Sequence, residues 1–381
     1  MNFSELDLFM DKMPERGFPA CELAVTFEGN EIYHRTVGYS DSAKTNPAKD
    51  SDLYWIYSAT KVITCIAAMR LVEEGRLGLD DPVSKYIPEY GNVKIKNPDG
   101  TLSAPKGEMK IWHLFTMTGG LTYELKTPNI LAATNIESDT MAVIKAITLD
   151  PIMFEPGTKF LYSLCHDVLG AVCEVVTGMR FSDYLDELIF KPLGLKNIGF
   201  RPTEEQKRRF SAMYKYNPAN NTATEIPCVN ELNQLVNFDS AGGGLFSTVS
   251  DYLKIVTVIA CGGTSSDGYR LLKPETIEMM KKDLLCDEAR VDMIGRNIHH
   301  GYGWGLGCRV HINPTVSLSP SPVGEFGWDG AAGAYTFVDT ENRIAVFYAT
   351  HVMGARYGYA IVHPALKRLI YDGIKEDRND I

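Results

Sequence analysis

Alternating strand patterns at the two ends of the chain constrain the fold most. Near the N-terminus, two segments alternate apolar and polar residues around Gly29 and Asn30, which predicts a β-hairpin. The same alternation occurs twice near the C-terminus, and the segment before it predicts a further strand. One β-sheet built from both ends of the chain is therefore expected. The predicted strands are 21–27 (CELAVTF), 31–39 (EIYHRTVGY), 303–312 (GWGLGCRVHI), 334–339 (AYTFVD) and 343–350 (RIAVFYAT).

Between these ends the spacing of apolar residues changes to that of helices, interrupted by loops rich in Pro and Gly. The fold class we predict is α/β (α+β), an antiparallel sheet flanked by helices with an inserted, mainly helical domain. Residues 1–85 and 236–381 form the α/β domain, and residues 86–235 form the insertion. No long linker separates them, so we expect one folded body. Further helices are predicted at 249–263, 274–285 and 363–376.

Composition excludes several classes of protein. The 381 residues carry a net charge of −10, which argues against binding to nucleic acid or to anionic membranes. No segment has the length needed for a membrane span, and the N-terminus has no targeting pattern, so we expect a cytoplasmic protein. The eight cysteines are scattered, which predicts reduced core residues. The histidines show no metal-ligand spacing, and His299-His300 is interpreted as a solvated loop.

The helix predicted after Tyr54 carries a lysine in its first turn. Residues 62–72 are apolar on nearly every face, so this helix is expected to be buried, with Gly75 at its end. Ser58 stands at the N-cap position, and capping alone would explain it. Lys61 opposes the helix dipole in an apolar setting, which predicts a lowered pKa and an uncharged amine. Such an amine can accept the proton of Ser58 three residues earlier.

Two other segments offer partners for this pair. Tyr162 stands at the start of a predicted helix, where a phenol can project into a cleft, although a packed core tyrosine is the commoner case. Cys165 is interpreted as a packing residue, and His166 as a helix-surface or hydrogen-bonded residue rather than a ligand. The glycine-rich segment 324–333 precedes a strand, so it is either a tight turn or a backbone that donates N–H groups to an oxyanion, with Trp328 as a pocket wall.

Three short motifs together resemble those of a known superfamily. Ser58-Ala59-Thr60-Lys61, Tyr162-Ser163-Leu164 and Trp328-Asp329-Gly330 occur in the order and rough spacing of the motifs of serine β-lactamases and penicillin-binding proteins. Among the branches, the chain looks most like class C β-lactamases and the β-lactamase-like (family VIII) carboxylesterases. The segments that extend the likeness are 75–90, 111–123, 154–163 and 240–255.

The resemblance implies an active site in a cleft between the sheet domain and the helical insertion. Ser58 would be the acylated nucleophile, and Lys61 and Tyr162 would move its proton and later activate water. The N–H groups of Ser58 and of Ala331, which follows Gly330, would form the oxyanion hole. The resemblance implies no metal and no organic cofactor.

The chain departs from the β-lactamase pattern at two motifs. Leu164 stands where many β-lactamases have an Asn, so an amide that binds substrate is missing. Trp328 and Asp329 replace a Lys and a Thr that hold the antibiotic's carboxylate, and Asp329 would repel that carboxylate if it faced the cleft. Trp-x-Gly is the form found in the esterase-like branch. These differences favour small neutral esters as substrates.

Several alternatives remain open. A β-lactamase or D-alanyl-D-alanine peptidase relative would use the same groups, and an acyltransferase would replace water with a bound alcohol. A catalytically inactive binding protein is expected to lose Ser58, Lys61 or Tyr162, and all three are present. An α/β-hydrolase is disfavoured because no Gly-x-Ser-x-Gly elbow occurs, and a Rossmann enzyme because 301–307 has the wrong glycine spacing. Residues 287–304 are predicted to be a loop that borders the cleft, and the oligomeric state is not indicated.

Overall fold

The computed structural model describes residues 1–233, 235–296 and 300–375. Its strands are β1 Ala20–Phe27, β2 Asn30–Gly38, β3 Tyr54–Trp55, β4 Ile95–Lys96, β5 Leu102–Ser103, β6 Ile198–Gly199, β7 Met213–Asn217, β8 Thr222–Ile226, β9 Phe246–Ser247, β10 Tyr302–Gly305, β11 Cys308–His311, β12 Phe326–Gly327, β13 Tyr335–Asp339, β14 Ile344–Thr350 and β15 Val352–Met353. Its α-helices are α1 Ser4–Asp11, α2 Thr60–Glu73, α3 Ile111–Phe115, α4 Pro128–Ala133, α5 Thr140–Ile147, α6 Cys165–Thr177, α7 Phe181–Leu185, α8 Glu204–Lys207, α9 Val249–Ala260, α10 Pro274–Met280, α11 Asp287–Arg296, α12 Pro314–Ser317 and α13 His363–Lys375.

A seven-stranded antiparallel sheet joins the two ends of the chain. Its order is β10-β11-β12-β13-β14-β1-β2, and β1 pairs with β14 from Cys21 opposite Thr350 to Phe27 opposite Ile344. Helices cover both faces, so successive residues of β1 enter different cores: Ala24 packs on the α9 side and Val25 on the α13 side. The predicted fold class and the sheet built from both ends are confirmed.

Helix α2, which carries Lys61, lies in the larger core. Most of its residues are buried, and it packs against α6 and β11 within a cluster that includes Val62, Ile66 and Tyr252. The helix ends at Glu73, and Gly75 adopts the left-handed conformation just beyond it, at φ 69°. The first turn of α2 is thus buried, and the Lys61 side chain there reaches Tyr123 of the region 86–235.

Two predictions about segments need correction. Residues 303–312 form the hairpin of β10 and β11 rather than one strand, with Cys308 in the left-handed region at φ 76°. Residues 287–304 are not a loop throughout, because they include α11 and β10; residues 297–299, and with them His299, lie outside the described residues.

The division of the chain at residues 86 and 236 stays a prediction. The region 86–235 is mainly helical but also contributes the strand pair β7 and β8, and β7 pairs in parallel with β15. All eight cysteines are free, and five of them are buried. None of the helices in the described part of the chain is long and apolar enough to cross a bilayer.

Candidate active site

Ser58 lies in a short 3₁₀ turn, Tyr57–Ala59, that leads directly into α2. The N-cap residue of α2 is Ala59, so Ser58 does not stand at the predicted N-cap position and capping does not explain its presence. Tyr57 adopts a left-handed φ of 46°, a conformation that costs a non-glycine residue about 1 kcal/mol or more. The tyrosine hydroxyl donates to the Val229 carbonyl at 3.4 Å, which helps to hold this strained residue. The chain thus turns sharply at the residue before Ser58.

Lys61 places its ammonium beside this serine. Its Nζ lies 3.3 Å from Ser58 Oγ and 3.4 Å from the Tyr123 hydroxyl, and it also donates to the Gly242 carbonyl. The lysine side chain is completely buried, whereas Ser58 is 9% exposed. The three-residue spacing on one helical face therefore brings the two groups together, as predicted.

The pKa shift of Lys61 differs from the prediction. Burial lowers the pKa of Lys61, as expected for an amine in an apolar setting. Three acidic groups act in the opposite direction and outweigh burial: the phenols of Tyr123 and Tyr162 once ionised, and the carboxyl of Asp167. The net result is a pKa above the ordinary lysine value. The direction of this shift is opposite to the lowered pKa that the sequence predicts.

Tyr162 completes a compact group of polar atoms around Ser58. The Lys61 Nζ lies 4.7 Å from the centre of the Tyr162 ring, and the Trp328 indole N–H donates to the Tyr162 hydroxyl at 2.9 Å. Burial raises the pKa of Tyr162 to about 12, although the charge of Lys61 and hydrogen bonds with Lys61 and Ser58 oppose this effect. A proton can thus move among three neighbouring groups, of which Lys61 is completely buried and Tyr162 partly buried.

Tyr123 is a site residue that the sequence did not single out. Its ring stacks on Tyr162 with centroids 5.5 Å apart and planes 4° from parallel, and its hydroxyl reaches Lys61. Tyr123 is 38% exposed, so it forms an outer wall of the cleft. It belongs to the segment 111–123 that resembles the family, but one tyrosine among 19 carries no distinguishing local signal.

Asp167 is a second site residue without a sequence signal. It is buried in the first turn of α6, where Oδ1 accepts hydrogen bonds from Ser240 Oγ at 2.7 Å and from the Gly242 N–H at 3.1 Å. Its Oδ2 has no hydrogen-bond partner among the described residues. Burial raises the pKa of Asp167, and Lys61 lowers it. The carboxyl therefore holds the backbone of Gly242 through its N–H, and the carbonyl of the same residue accepts a hydrogen bond from Lys61.

The glycine-rich turn approaches the nucleophile from the sheet. The Gly330 N–H donates to the Ala334 carbonyl at 2.7 Å, and a Cβ at Gly330 would lie 2.2 Å from the Ile56 carbonyl oxygen. Only glycine fits at position 330 beside Ile56, which precedes Ser58 by two residues. Ala331 follows on the exposed side of the turn. The structure thus brings the Trp328–Ala331 turn to the chain segment that carries the serine.

Two predicted site residues point elsewhere. Leu164 is 1% exposed and lies in the larger core, so the structure does not bring its side chain to the cleft. Asp329 is buried and faces away from Ser58, with carboxylate oxygens 3.4 Å from Arg309 Nη1 and 3.2 Å from His363 Nδ1. Because Arg309 balances its charge, Asp329 is not placed to repel a substrate carboxylate in the cleft.

Cys65, His166 and Cys308 form a buried cluster one turn along α2 from Lys61, with ligand atoms within 4.8 Å of one another. The His166 Nε2 lies 3.0 Å from the Phe115 carbonyl oxygen, which confirms the hydrogen-bonded interpretation of this histidine. Burial raises the pKa of Cys65 and lowers the pKa of His166 to about 3. Both side chains are therefore uncharged at neutral pH.

Comparison with known proteins matches nearly the whole chain. A family model described as Beta-lactamase matches residues 6–362. Esterase EstB of Burkholderia gladioli is 29% identical over 381 aligned residues, which cover 91% of this chain and 90% of the esterase. Simvastatin synthase (LovD) from Aspergillus terreus superposes with a TM-score of 0.82 at 20% identity, covering 97% of this chain and 98% of that one.

A further solved structure is EstCE1, described as a hydrolase with promiscuous acyltransferase activity. It has a TM-score of 0.80 at 24% identity and covers 97% of this chain and 98% of its own. At these identities the two structural likenesses establish the fold alone.

Proposed function

The chain belongs to the Beta-lactamase family, and from this premise we propose that it is a serine hydrolase that works through an acyl-enzyme, a carboxylesterase for small acyl esters. The observation that carries the proposal is the 3.3 Å separation of Lys61 Nζ and Ser58 Oγ, with the Tyr162 phenol hydrogen-bonded beside them. Nucleophile and proton acceptor within hydrogen-bond reach are the signature of an activated serine. The proposal needs no metal or organic cofactor.

The reaction proceeds in two halves. Ser58 Oγ attacks the ester carbonyl carbon while its proton passes to the Lys61–Tyr162 pair, and the N–H groups of Ser58 and Ala331 donate to the oxyanion. The carbon–oxygen bond then breaks, and the alcohol leaves with the proton from the pair. In the second half, water gives its proton to the same pair and attacks the acyl group, which releases the acid and restores Ser58.

The lining of the cleft supports an ester with a neutral acyl group. Tyr123, Tyr162 and Trp328 present aromatic rings around Ser58, and the Tyr162 and Trp328 ring centroids lie 5.5 Å apart. Aromatic walls bind apolar groups and do not compensate a carboxylate. The charged pair of Asp329 and Arg309 is buried away from Ser58. The similarity to esterase EstB, which covers most of both chains, supports the same choice.

An acyltransferase is the second candidate. Of the two structurally similar proteins, one is a simvastatin synthase and the other a hydrolase with promiscuous acyltransferase activity. Transfer needs the same acyl-enzyme, with an alcohol in the place of the second-half water. Adding an alcohol such as methanol or glycerol during turnover separates the two candidates: an esterase releases acid in proportion to the ester consumed, whereas an acyltransferase diverts the acyl group to a new ester.

The decisive experiment compares the parent with Ser58→Ala. We expect a fluorophosphonate probe to label the parent, p-nitrophenyl acetate and butyrate to be turned over, and both signals to vanish in the variant. Ser211→Ala is the matched control, because it removes another buried hydroxyl, one without a hydrogen-bond partner in the described residues. Labelling that persists in Ser58→Ala would refute the proposed nucleophile, and nitrocefin turnover above that of the esters would favour a β-lactamase.

A further inference from the structure

Tyr359 reaches the glycine-rich turn from a distant part of the chain. It lies in the π-helical turn Gly358–Val362 that leads into α13. Its hydroxyl lies 2.9 Å from the Gly330 carbonyl oxygen and 2.8 Å from the Ala331 carbonyl oxygen. One phenolic O–H is thus shared between two successive peptide groups of the turn.

These two carbonyls fix the direction of the Ala331 amide. The Gly330 carbonyl and the Ala331 N–H belong to one peptide group, and in a trans peptide they point in opposite directions. A hydroxyl that holds the carbonyl therefore also sets where the N–H points. A hydrogen bond donated to the carbonyl further polarises the amide and strengthens its N–H as a donor.

The Tyr359 ring is itself held in place. His363 contacts it edge-on at 5.3 Å between ring centroids, and the His363 ring stacks on Tyr335 of β13 at 4.4 Å. The His363 Nδ1 lies 3.2 Å from the Asp329 carboxylate, which belongs to the same turn. Burial raises the pKa of Tyr359, so the phenol keeps its proton and stays a donor across the pH range of an assay.

The turn needs support from outside. Its internal hydrogen bonds run from the Gly330 N–H to the Ala334 carbonyl and from the Gly333 N–H to the Gly330 carbonyl. Ala331 itself is exposed. Rotation of the Gly330–Ala331 peptide would turn the N–H away from the substrate carbonyl. The Gly333 N–H and the Tyr359 hydroxyl, which both donate to the Gly330 carbonyl, oppose that rotation.

We propose that Tyr359 is a positioning residue that orients and polarises the Ala331 N–H for the oxyanion. The inference rests on the proposed acyl-enzyme function. Because the oxyanion forms when Ser58 is acylated and again when the acyl group is hydrolysed, loss of the hydroxyl slows both halves. Ground-state binding of the ester does not use the strengthened donor, so KM is little affected.

The test is Tyr359→Phe, assayed with p-nitrophenyl butyrate. Loss of a direct oxyanion donor lowers kcat about 100-fold or more, and an indirect loss is expected to lower kcat about tenfold, with KM within twofold. An alkyl boronic acid, which imitates the tetrahedral state, should bind about tenfold more weakly. Tyr269→Phe is the matched control, since it removes a hydroxyl that donates to the Leu188 carbonyl at 2.7 Å outside the site.

The outcomes separate the inference from the proposed function. If Ser58→Ala abolishes turnover while folded Tyr359→Phe keeps parental kcat and boronate affinity, the inference is wrong and the function stands. A rise in KM alone would also overturn it, because that result assigns Tyr359 to substrate binding. A second variant carries 3-fluorotyrosine at 359, which keeps the ring and makes the hydroxyl a stronger donor. Retained boronate affinity in this variant supports the inference. A tenfold loss contradicts it, even if the Phe variant does not fold.

Discussion

Lys61 and its acidic neighbours determine how the proposed reaction depends on pH. The pair formed by Lys61 and Tyr162 must lose one proton before it can accept the proton of Ser58, and the two groups titrate together. The pKa of Lys61 is raised and that of Tyr162 is about 12, so the reactive form grows as pH rises. The value of kcat/KM is therefore expected to increase from pH 6 to pH 9.

Asp167 is expected to shift this pH profile. Its buried carboxylate favours the protonated form of Lys61, so Asp167→Asn should lower the pKa of the pair and move the rise in kcat/KM to lower pH. Asparagine keeps the Oδ1 acceptor for the Gly242 N–H. The profile is measured with p-nitrophenyl butyrate and corrected for spontaneous hydrolysis.

The control for Asp167→Asn is Ser240→Ala, which removes a hydrogen bond to the carboxyl but leaves its charge. Ser240→Ala should keep the parental profile. An unshifted profile in folded Asp167→Asn, or a shift to higher pH, would show that the carboxyl does not act on Lys61 as a charge.

Glu22 is a residue at which charge opposes stability. It is fully buried in β1, its Oε2 has no hydrogen-bond partner in the described residues, and burial raises its pKa to about 7 against a hydrogen bond from His34. Because the pKa of this carboxyl is higher in the folded than in the unfolded state, its protonated form stabilises the fold. The contribution is complete below the unfolded-state pKa and is lost as pH rises through the folded-state pKa of about 7. Glu22→Gln should therefore gain about 2 kcal/mol over the parent between pH 5 and pH 8.

Urea unfolding at pH 5 and at pH 8 measures this difference. Glu31→Gln is the matched control, because Glu31 lies 3.4 Å from the same histidine but is half exposed. Its effect on the free energy of unfolding should be small at both pH values. Equal stability changes for Glu22→Gln at the two pH values would contradict the pKa assignment.

At the scale of elements, helix α6 and the segment 240–244 must approach closely to assemble the site. Gly170 faces this segment, and a Cβ there would lie 2.4 Å from the Cβ of Ala241. Glycine in the middle of a helix costs about 1 kcal/mol, so its presence reflects the contact. Gly170→Ala should destabilise the fold by about 1–3 kcal/mol through overpacking and lower kcat by displacing the Gly242 carbonyl from Lys61.

The double variant Gly170→Ala/Ala241→Gly should recover part of both losses, because it exchanges the two side chains across one contact. Gly199→Ala serves as the control, since a Cβ there meets Phe246 at an ordinary 3.6 Å. Thermal unfolding and ester turnover are the two measurements. If the losses of stability and activity from the two substitutions simply add in the double variant, the contact between residues 170 and 241 does not explain the effect of Gly170→Ala.

Sequence patterns predicted secondary structure well for strands in which buried and exposed residues alternate and for helices that are buried on every face. They predicted it poorly elsewhere. The strands at both chain ends and helix α2 follow directly from their apolar spacing. Helix α11 was missed because, among its described side chains at 287–294, it buries Ala289 and Met293 between charged residues. The turn between β10 and β11 lacks the Asn-Gly or Asp-Gly signal of a hairpin, and Cys308 at positive φ is not a residue that predicts one.

At the scale of the whole molecule, the candidate site combines residues that are remote in sequence. Ser58, Lys61 and Tyr162 could be predicted because they lie in short motifs. Tyr123 and Asp167 could not, since each acquires its role only from the packing of other segments against Lys61. The direction of the Lys61 pKa shift was predicted wrongly for the same reason: local sequence indicates burial, but not the acidic groups that tertiary structure brings near.

The larger core also crosses the predicted boundary between the sheet domain and the helical insertion. One contiguous cluster contains Ala24 and Phe347 of the sheet as well as Ile144 and Leu169 of the insertion. A shared core couples the unfolding of its parts, so urea should unfold the protein in a single transition. Far-ultraviolet circular dichroism, tryptophan fluorescence and ester turnover should give coincident midpoints. Loss of activity and of part of the helical signal at lower urea than the rest would instead show that residues 86–235 unfold as a separate unit.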